Sequence, residues 1–163
     1  MVKFIKAEEK DLPNIVDIYN QIIPSRLATA DLEPVSVESR KSWFHSFTPT
    51  HPIWVIKNKE DIVGWVALEH FYGRPAYEHT TEISIYIDKS ARHQGLGKKA
   101  LEFVIKQLPD LGITAIVAYV FSHNLPSQKL FKSMNFDQWG YLPDVAVMDG
   151  KRYSLDILGR RFD

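Results

Sequence analysis

Residues 82–99, EISIYIDKSARHQGLGKK, restrict the fold more than any other stretch of the chain. An alternating apolar run ends near Ile87, a short polar loop follows, and two glycines open a helical pattern. Apolar residues at period two mark a strand, and those at spacing three and four mark a helix. A loop of backbone N–H groups at a helix N-terminus is an anion site, and diphosphate is its commonest guest. Glu82 is the single carboxylate of the strand. The stretch reads as a loop that binds a cofactor diphosphate, with a base beside the cofactor's reactive end.

Rival readings of Arg92–Gly97 (RHQGLG) rest on the same glycines. Gly95, Gly97 and Ala100 satisfy the dinucleotide pattern G-x-G-x-x-A. That fingerprint requires its first glycine at the strand end and an acid near the end of the following strand. Here the strand ends several residues too early, and the next one closes on Tyr119, Val120, Phe121 and Ser122 without an acid. A Walker loop needs Ser or Thr after its lysine, whereas Lys98 is followed by Lys99. The plainest alternative is that the glycines only turn the chain and cap a helix.

The rest of the chain reads as alternating elements. Val2–Lys6 is a short strand, and the acids of residues 8–11 with Pro13 start a helix that Pro24 stops. Residues 24–34 form a loop. Ser36 caps a second helix to about Phe47, with Trp43, Phe44 and Phe47 on its buried side. Residues 53–57 and 62–69 form a hairpin around the polar turn NKED, and 71–79 form an aromatic loop. A strand over 80–87, a helix over 94–108 and a nearly all-apolar strand over 113–121 follow. A last helix starts at residues 124–126, and Asn135 suits the left-handed position at its end. Two strands over 136–148 and 152–158 flank the turn Asp149–Gly150. Hairpins before a βαβα unit predict one α/β (α+β) domain with a mixed sheet.

Composition narrows the function. Lys plus Arg and Asp plus Glu are both 20, so the net charge is zero. Nucleic-acid and anionic-membrane proteins need an excess of basic residues, so neither partner is expected. No cysteine is present, which excludes disulfides, thiolate catalysis and cysteine-held metals. The six histidines, His45, His51, His70, His79, His93 and His123, show no paired metal-binding spacing, so no metal is expected. The N-terminus lacks a signal-peptide core and no apolar run spans a membrane, so a cytoplasmic protein is expected.

Arg92-x-x-Gly95-x-Gly97 resembles the pyrophosphate loop of the GCN5-related N-acetyltransferases (GNAT), which bind acetyl-CoA. Nearly the whole chain is similar to one branch of that family, the phosphinothricin and methionine sulfone acetyltransferases. The matching stretches are DLPNIVDIYN from Asp11, EPVSVESRKSWF from Glu33, Gly64–Trp65, RPAY from Arg74, residues 82–87, and NLPSQKLFKSMNF from Asn124.

The resemblance implies a mostly antiparallel sheet of about six to seven strands with about four helices, all in one domain over residues 1–163. It implies that Ile85, Tyr86 and Ile87 offer backbone groups to the pantetheine arm of acetyl-CoA. The diphosphate is expected at the N–H groups of His93, Gln94, Gly95, Leu96, Gly97 and Lys98, with Arg92 beside it. Asn124 matches a cofactor contact at the head of the last helix, a role compatible with capping that helix. Glu82 matches the general base, and the chemistry calls for one, since an amine must lose a proton before it attacks a thioester. Arg74 matches a substrate contact, and a guanidinium suits a carboxylate; Tyr77, with Phe71 and Tyr72, walls the acceptor pocket or packs the loop. Phe131 stands where many acetyltransferases carry a proton-donating Tyr, and Phe cannot donate.

The expected reaction is direct transfer of acetyl to the primary amine of a small molecule, an L-amino acid or analogue of the phosphinothricin or methionine sulfone type. A peptide N-terminus is the alternative acceptor, and a module that holds CoA without turnover is the reading from a different class. The branch also implies a homodimer.

Overall fold

Alternate positions of the central strands are apolar on both sides, and such strands must be covered on both faces. The computed structural model describes all residues, Met1–Asp163, and meets that demand with three layers. Seven strands form one sheet in the order β1-β2-β3-β4-β5-β7-β6. They are β1 (Val2–Lys6), β2 (Ile53–Asn58), β3 (Asp61–His70), β4 (Thr80–Ile87), β5 (Ala115–Phe121), β6 (Asp137–Met148) and β7 (Lys151–Arg161). The helices are α1 (Leu12–Ile22), α2 (Lys41–His45), α3 (Leu96–Leu111) and α4 (Leu125–Ser133). Every strand pairing is antiparallel except β4 with β5. The seven-stranded, mostly antiparallel sheet with four helices is the architecture expected from the sequence.

Two cores lie on opposite faces. Trp54, Ile56, Val66, Leu68, Ile83, Ile116, Ala118 and Val120 pack with Ala100, Leu101 and Val104 of α3 and Phe131 of α4. Ile53, Val55, Trp65 and Ala67 pack on the other face with Leu12, Ile15, Val16 and Tyr19 of α1. Each strand thus feeds alternate side chains to alternate cores, as the pleat dictates.

The ends of several helices differ from the sequence reading. Pro24 does not stop the first helix outright, because Ile23–Ser25 continues as a 3-10 turn that ends at the left-handed Arg26. The second helix is a 3-10 turn, Glu38–Arg40, running into the short α2; the Ser36 hydroxyl does accept from Ser39 N–H, at 3.1 Å. The third starts at Leu96, two residues late, since Gly95 is its N-cap. It runs through Pro109 to Leu111 and ends on Gly112. Asn135 does adopt the left-handed conformation, at φ 65°.

One irregularity of the sheet positions everything that follows. β4 pairs with β3 from Thr81 to Ile87, but with β5 only at Thr80, Thr81 and Glu82. Beyond Glu82 the two parallel strands part. β5 is held instead by β7 along its whole length.

Candidate active site

Glu82 sits where the strands begin to part. Its neighbours Ile83 and Ile85 point into the core under α3 and α4, so Glu82, Ser84 and Tyr86 point to the α1–α2 face. On β5, Ile116, Ala118 and Val120 likewise point to α3 and α4, which leaves Val117 and Tyr119 on the same face as Glu82.

The Glu82 carboxyl is half-buried, and its pKa rises from 4.5 to about 7, first because burial disfavours the charge and then because Glu69 is near. Glu69 is its direct partner across β3 and β4. Trp43 of α2 fixes Glu69 by donating Nε1–H to Oε1 at 2.7 Å. Under Trp43 lies Trp65, its ring tilted 68° at 5.5 Å between centroids, and Trp65 in turn stacks on Tyr86 at 4.7 Å. The phenol of Tyr119 is pushed up to about 12 by burial, by the Tyr72 hydroxyl beside it and by the Glu82 charge. A carboxyl that titrates near neutrality, flanked by a fixed carboxylate and a protonated phenol, is equipped to take a proton from an amine.

Replacing Glu69 with Gln removes the smaller of the two causes that raise Glu82. The acid limb of a pH–rate profile then moves to lower pH, but stays above the ordinary carboxylate range because burial remains. A limb that does not move shows that Glu69 has no electrostatic hold on Glu82.

The gap itself offers backbone. Asp88 N–H donates to Val63 C=O, so the alternation of the antiparallel ladder turns the backbone of Tyr86 toward Trp65 of β3. The groups of Ile85 and Ile87 turn the other way, into the space that β5 has left. Of the three residues expected to present backbone there, Tyr86 is therefore the exception: its main chain serves β3 and its ring is a support beneath the site. The C=O of Ile87 accepts from Arg92 Nε at 3.3 Å, which ties Arg92 to the strand rather than leaving it free at the loop.

The glycine loop lies at the far end of the gap. The Asp88 side chain accepts from Ser90 N–H at 2.8 Å and from Gln21 Nε2 at 2.9 Å, which pins the start of the loop. His93 and Gly95 both have positive φ, at 63° and 74°. Gly95 caps α3 with no side chain to bond the first turn, so the N–H groups of Leu96, Gly97 and Lys98 have no side-chain partner. That is the arrangement an oxyanion completes. Gly97 serves a different end: a Cβ there would stand 3.2 Å from Leu130 Cδ2, so this glycine lets α3 approach α4. Leu96 buries its side chain in the core and has only its N–H to offer. Asn124 is buried at the head of α4, where its Oδ1 accepts from Ser127 N–H at 3.3 Å.

The aromatic loop between β3 and β4 gathers Phe71, Tyr72 and Tyr77, with ring centroids 4.5 to 5.9 Å apart. Tyr72 at φ 57° and Gly73 at φ 65° form its tight turn. Arg74 and Tyr77 are exposed on this loop, and Arg74 takes part in no ion pair. Phe131 is buried with its ring edge-on to Phe136 at 5.0 Å. No group of three or more potential ligands is placed to hold a metal ion, and no helix is long and apolar enough to cross a membrane. Surface hollows beside α2 and beside α3 lie away from Glu82.

Sequence reasoning missed Glu69, Trp43 and Tyr119. Each looked ordinary where it stood, and only strand register and the packing of α2 bring them to Glu82.

The sequence profile of the acetyltransferase (GNAT) family matches residues 14–136. The chain is 47% identical over 155 residues to the Bacillus subtilis protein YwnH, a candidate phosphinothricin acetyltransferase, covering 94% of this chain and 95% of that one. It is 26% identical, over 94% of this chain and 90% of the other, to an L-methionine sulfoximine/L-methionine sulfone acetyltransferase of Pseudomonas aeruginosa. A crystal structure of a candidate phosphinothricin N-acetyltransferase superimposes with a TM-score of 0.97 at 44% identity, covering 100% of this chain and 99% of that one. The parted strands, the uncapped glycine turn and these likenesses converge: the chain belongs to the GNAT acetyltransferase family, enzymes that take their acetyl group from acetyl-CoA.

Proposed function

We propose that this enzyme N-acetylates the primary amine of a small acidic molecule, an L-amino acid or an analogue of the phosphinothricin or methionine sulfone type, with Glu82 as the general base. The observation that carries this reading is a half-buried carboxyl titrating near pH 7 at the point where β4 leaves β5. The named activities of the similar proteins from B. subtilis and P. aeruginosa support the acceptor class.

Acetyl-CoA supplies the acetyl group as a thioester, activated toward amines. The backbone of Ile85 and Ile87 holds the pantetheine arm as an added strand would be held. The first-turn N–H groups of α3, the preceding loop from His93 and the exposed Lys98 hold the diphosphate, with Arg92 and Asn124 as flanking supports. Glu82 accepts the proton of the substrate ammonium, directly or through one water, and so frees the lone pair for attack. With no cysteine in the chain, the amine attacks directly and no thiol-bound enzyme intermediate forms. Arg74 and Tyr77 contact the outer part of the acceptor from the aromatic loop. Phe131 carries no proton to give, so the leaving thiolate takes its proton from water or from another group.

The enzyme works in the cytoplasm, where acetyl-CoA and free amino acids meet. Exposed apolar residues along β6, Trp139, Tyr141, Val145 and Val147, support a homodimer, and a light-scattering mass tests it.

The deciding experiment is free-thiol release from acetyl-CoA with a panel of amino acids, their sulfone and phosphinate analogues, simple amines and short peptides. Turnover confined to the amino-acid class is the expected result. CoA binding without turnover on any amine overturns it. Gly95→Val gives a separate check on the loop. A β-branched residue at φ 74° costs on the order of 1–2 kcal/mol of stability and re-aims the neighbouring N–H groups. Its KM for acetyl-CoA rises at least tenfold while the protein stays folded; an unchanged KM sinks the diphosphate placement.

A further inference from the structure

The acceptor face holds a cation that nothing in the chain answers. Arg40, in the turn before α2, is half-buried, with its guanidinium carbon 4.3 Å from the Trp43 ring centroid and 5.0 Å from that of Tyr19. It belongs to none of the ion pairs and its side chain makes no hydrogen bond. A guanidinium presents a planar fork of donors shaped for a carboxylate, and a partly desolvated one ordinarily finds such a partner. Two aromatic faces hold this one in place and leave its donors unused. The nearby acid, Asp31, is already engaged by the Tyr19 hydroxyl.

Trp43 connects this cation to the proposed base. One face of its indole supports Arg40, while its Nε1–H donates to Glu69, the cross-strand partner of Glu82. One indole thus touches both charges: the cation lies over its face, and its Nε1 edge meets Glu69, the strand partner of Glu82. A molecule with an ammonium and a carboxylate on the same carbon has the matching polarity. A simple amine, or a peptide N-terminus whose neighbouring group is an amide, does not.

We propose that Arg40 anchors the α-carboxylate of the acceptor, so that the enzyme selects free α-amino acids over amines and peptide N-termini. The inference rests on the reading that the acceptor amine meets Glu82. Arg74, exposed on the loop, is left for the distal polar group of the side chain.

The test uses the full chain with an amino acid that it acetylates, the α-amide of that amino acid and its decarboxylated amine. Wild-type enzyme favours the acid over the other two by ten- to hundredfold in kcat/KM, the worth of a charge-assisted pair of hydrogen bonds. Arg40→Gln raises KM for the acid by that factor, with kcat within about twofold and KM for acetyl-CoA unchanged. It leaves the amide unaffected, so the preference disappears. Calorimetric titration of the acid onto the CoA-loaded protein shows the same loss of affinity. Arg40→Lys keeps a charge over the rings and recovers part of the preference, while Arg74→Gln retains it. Equal losses on acid and amide overturn the proposal, as does a preference erased by Arg74→Gln or absent from the wild type. If the acid preference follows Arg40 but Glu82→Gln leaves the pH profile intact, the anchor stands and the proposed base falls. If the wild type turns over no amine, both fall.

Discussion

Glu82→Gln lowers kcat/KM for acetyl transfer by about 10²- to 10⁴-fold, the usual worth of a positioned base, and abolishes the inflection near pH 7. The wild-type rate rises with pH through that inflection, because only the ionised carboxylate accepts a proton. The same substitution changes stability with the opposite sense. Folding raises the pKa of Glu82 from 4.5 to about 7, so its contribution to stability is intact below 4.5 and is lost as pH rises toward 7. Gln carries no charge at any pH. The thermal midpoint of Glu82→Gln therefore matches wild type at pH 4 and exceeds it at pH 8. Stopped rates and melting curves across pH read the two effects independently. A variant that keeps its rate and inflection has lost nothing that the reaction needs, and Glu82 is then not the base.

Trp65→Ala carries the largest expected cost in stability, about 3–5 kcal/mol, a substantial part of the 5–15 kcal/mol that holds a typical domain together. Trp65 is 1% exposed and stacks on Tyr86 while supporting Trp43. Its Nε1–H donates to the C=O of Ile15 at 3.1 Å, so its loss also leaves a buried carbonyl in α1 without that partner. The urea midpoint falls with an unchanged slope if the native state stays compact. Because Trp43 rests on Trp65, the molecules that remain folded hold Glu69 and Arg40 less firmly, and KM for the acceptor rises. A loss below about 1.5 kcal/mol shows that the cores on this face close around the missing ring.

The strand-and-glycine stretch was legible because each of its parts is a local signal. Period two ends at Ile87, Gly95 sits at a positive φ where glycine is at ease, and the α3 face repeats at three and four residues. Local chemistry also gave Asn124 as a helix cap and Asn135 as a left-handed end. The start of α3 moved for a local reason, the left-handed N-cap at Gly95, but its end moved for a tertiary one. Pro109 stays inside α3 because Leu108 is packed in the core on one side of it and Gly112 closes the helix on the other. Tyr86 matched the family's backbone track by position alone, and which neighbour its N–H and C=O address depends on ladder alternation with β3.

The sequence by itself determined the elements, their order and the glycine turn that opens α3, since each depends on residues within a few positions of one another. Tertiary structure alone decided why the Glu82 carboxyl titrates near neutrality. Burial raises Glu82, strand register places Glu69 across from it, and the packing of α2 brings Trp43 and Arg40 over the same face. The physical reason is distance along the chain. A pKa depends on burial and on charges within a few ångströms, and Glu69 and Glu82 stand on separate strands that only the folded sheet brings together.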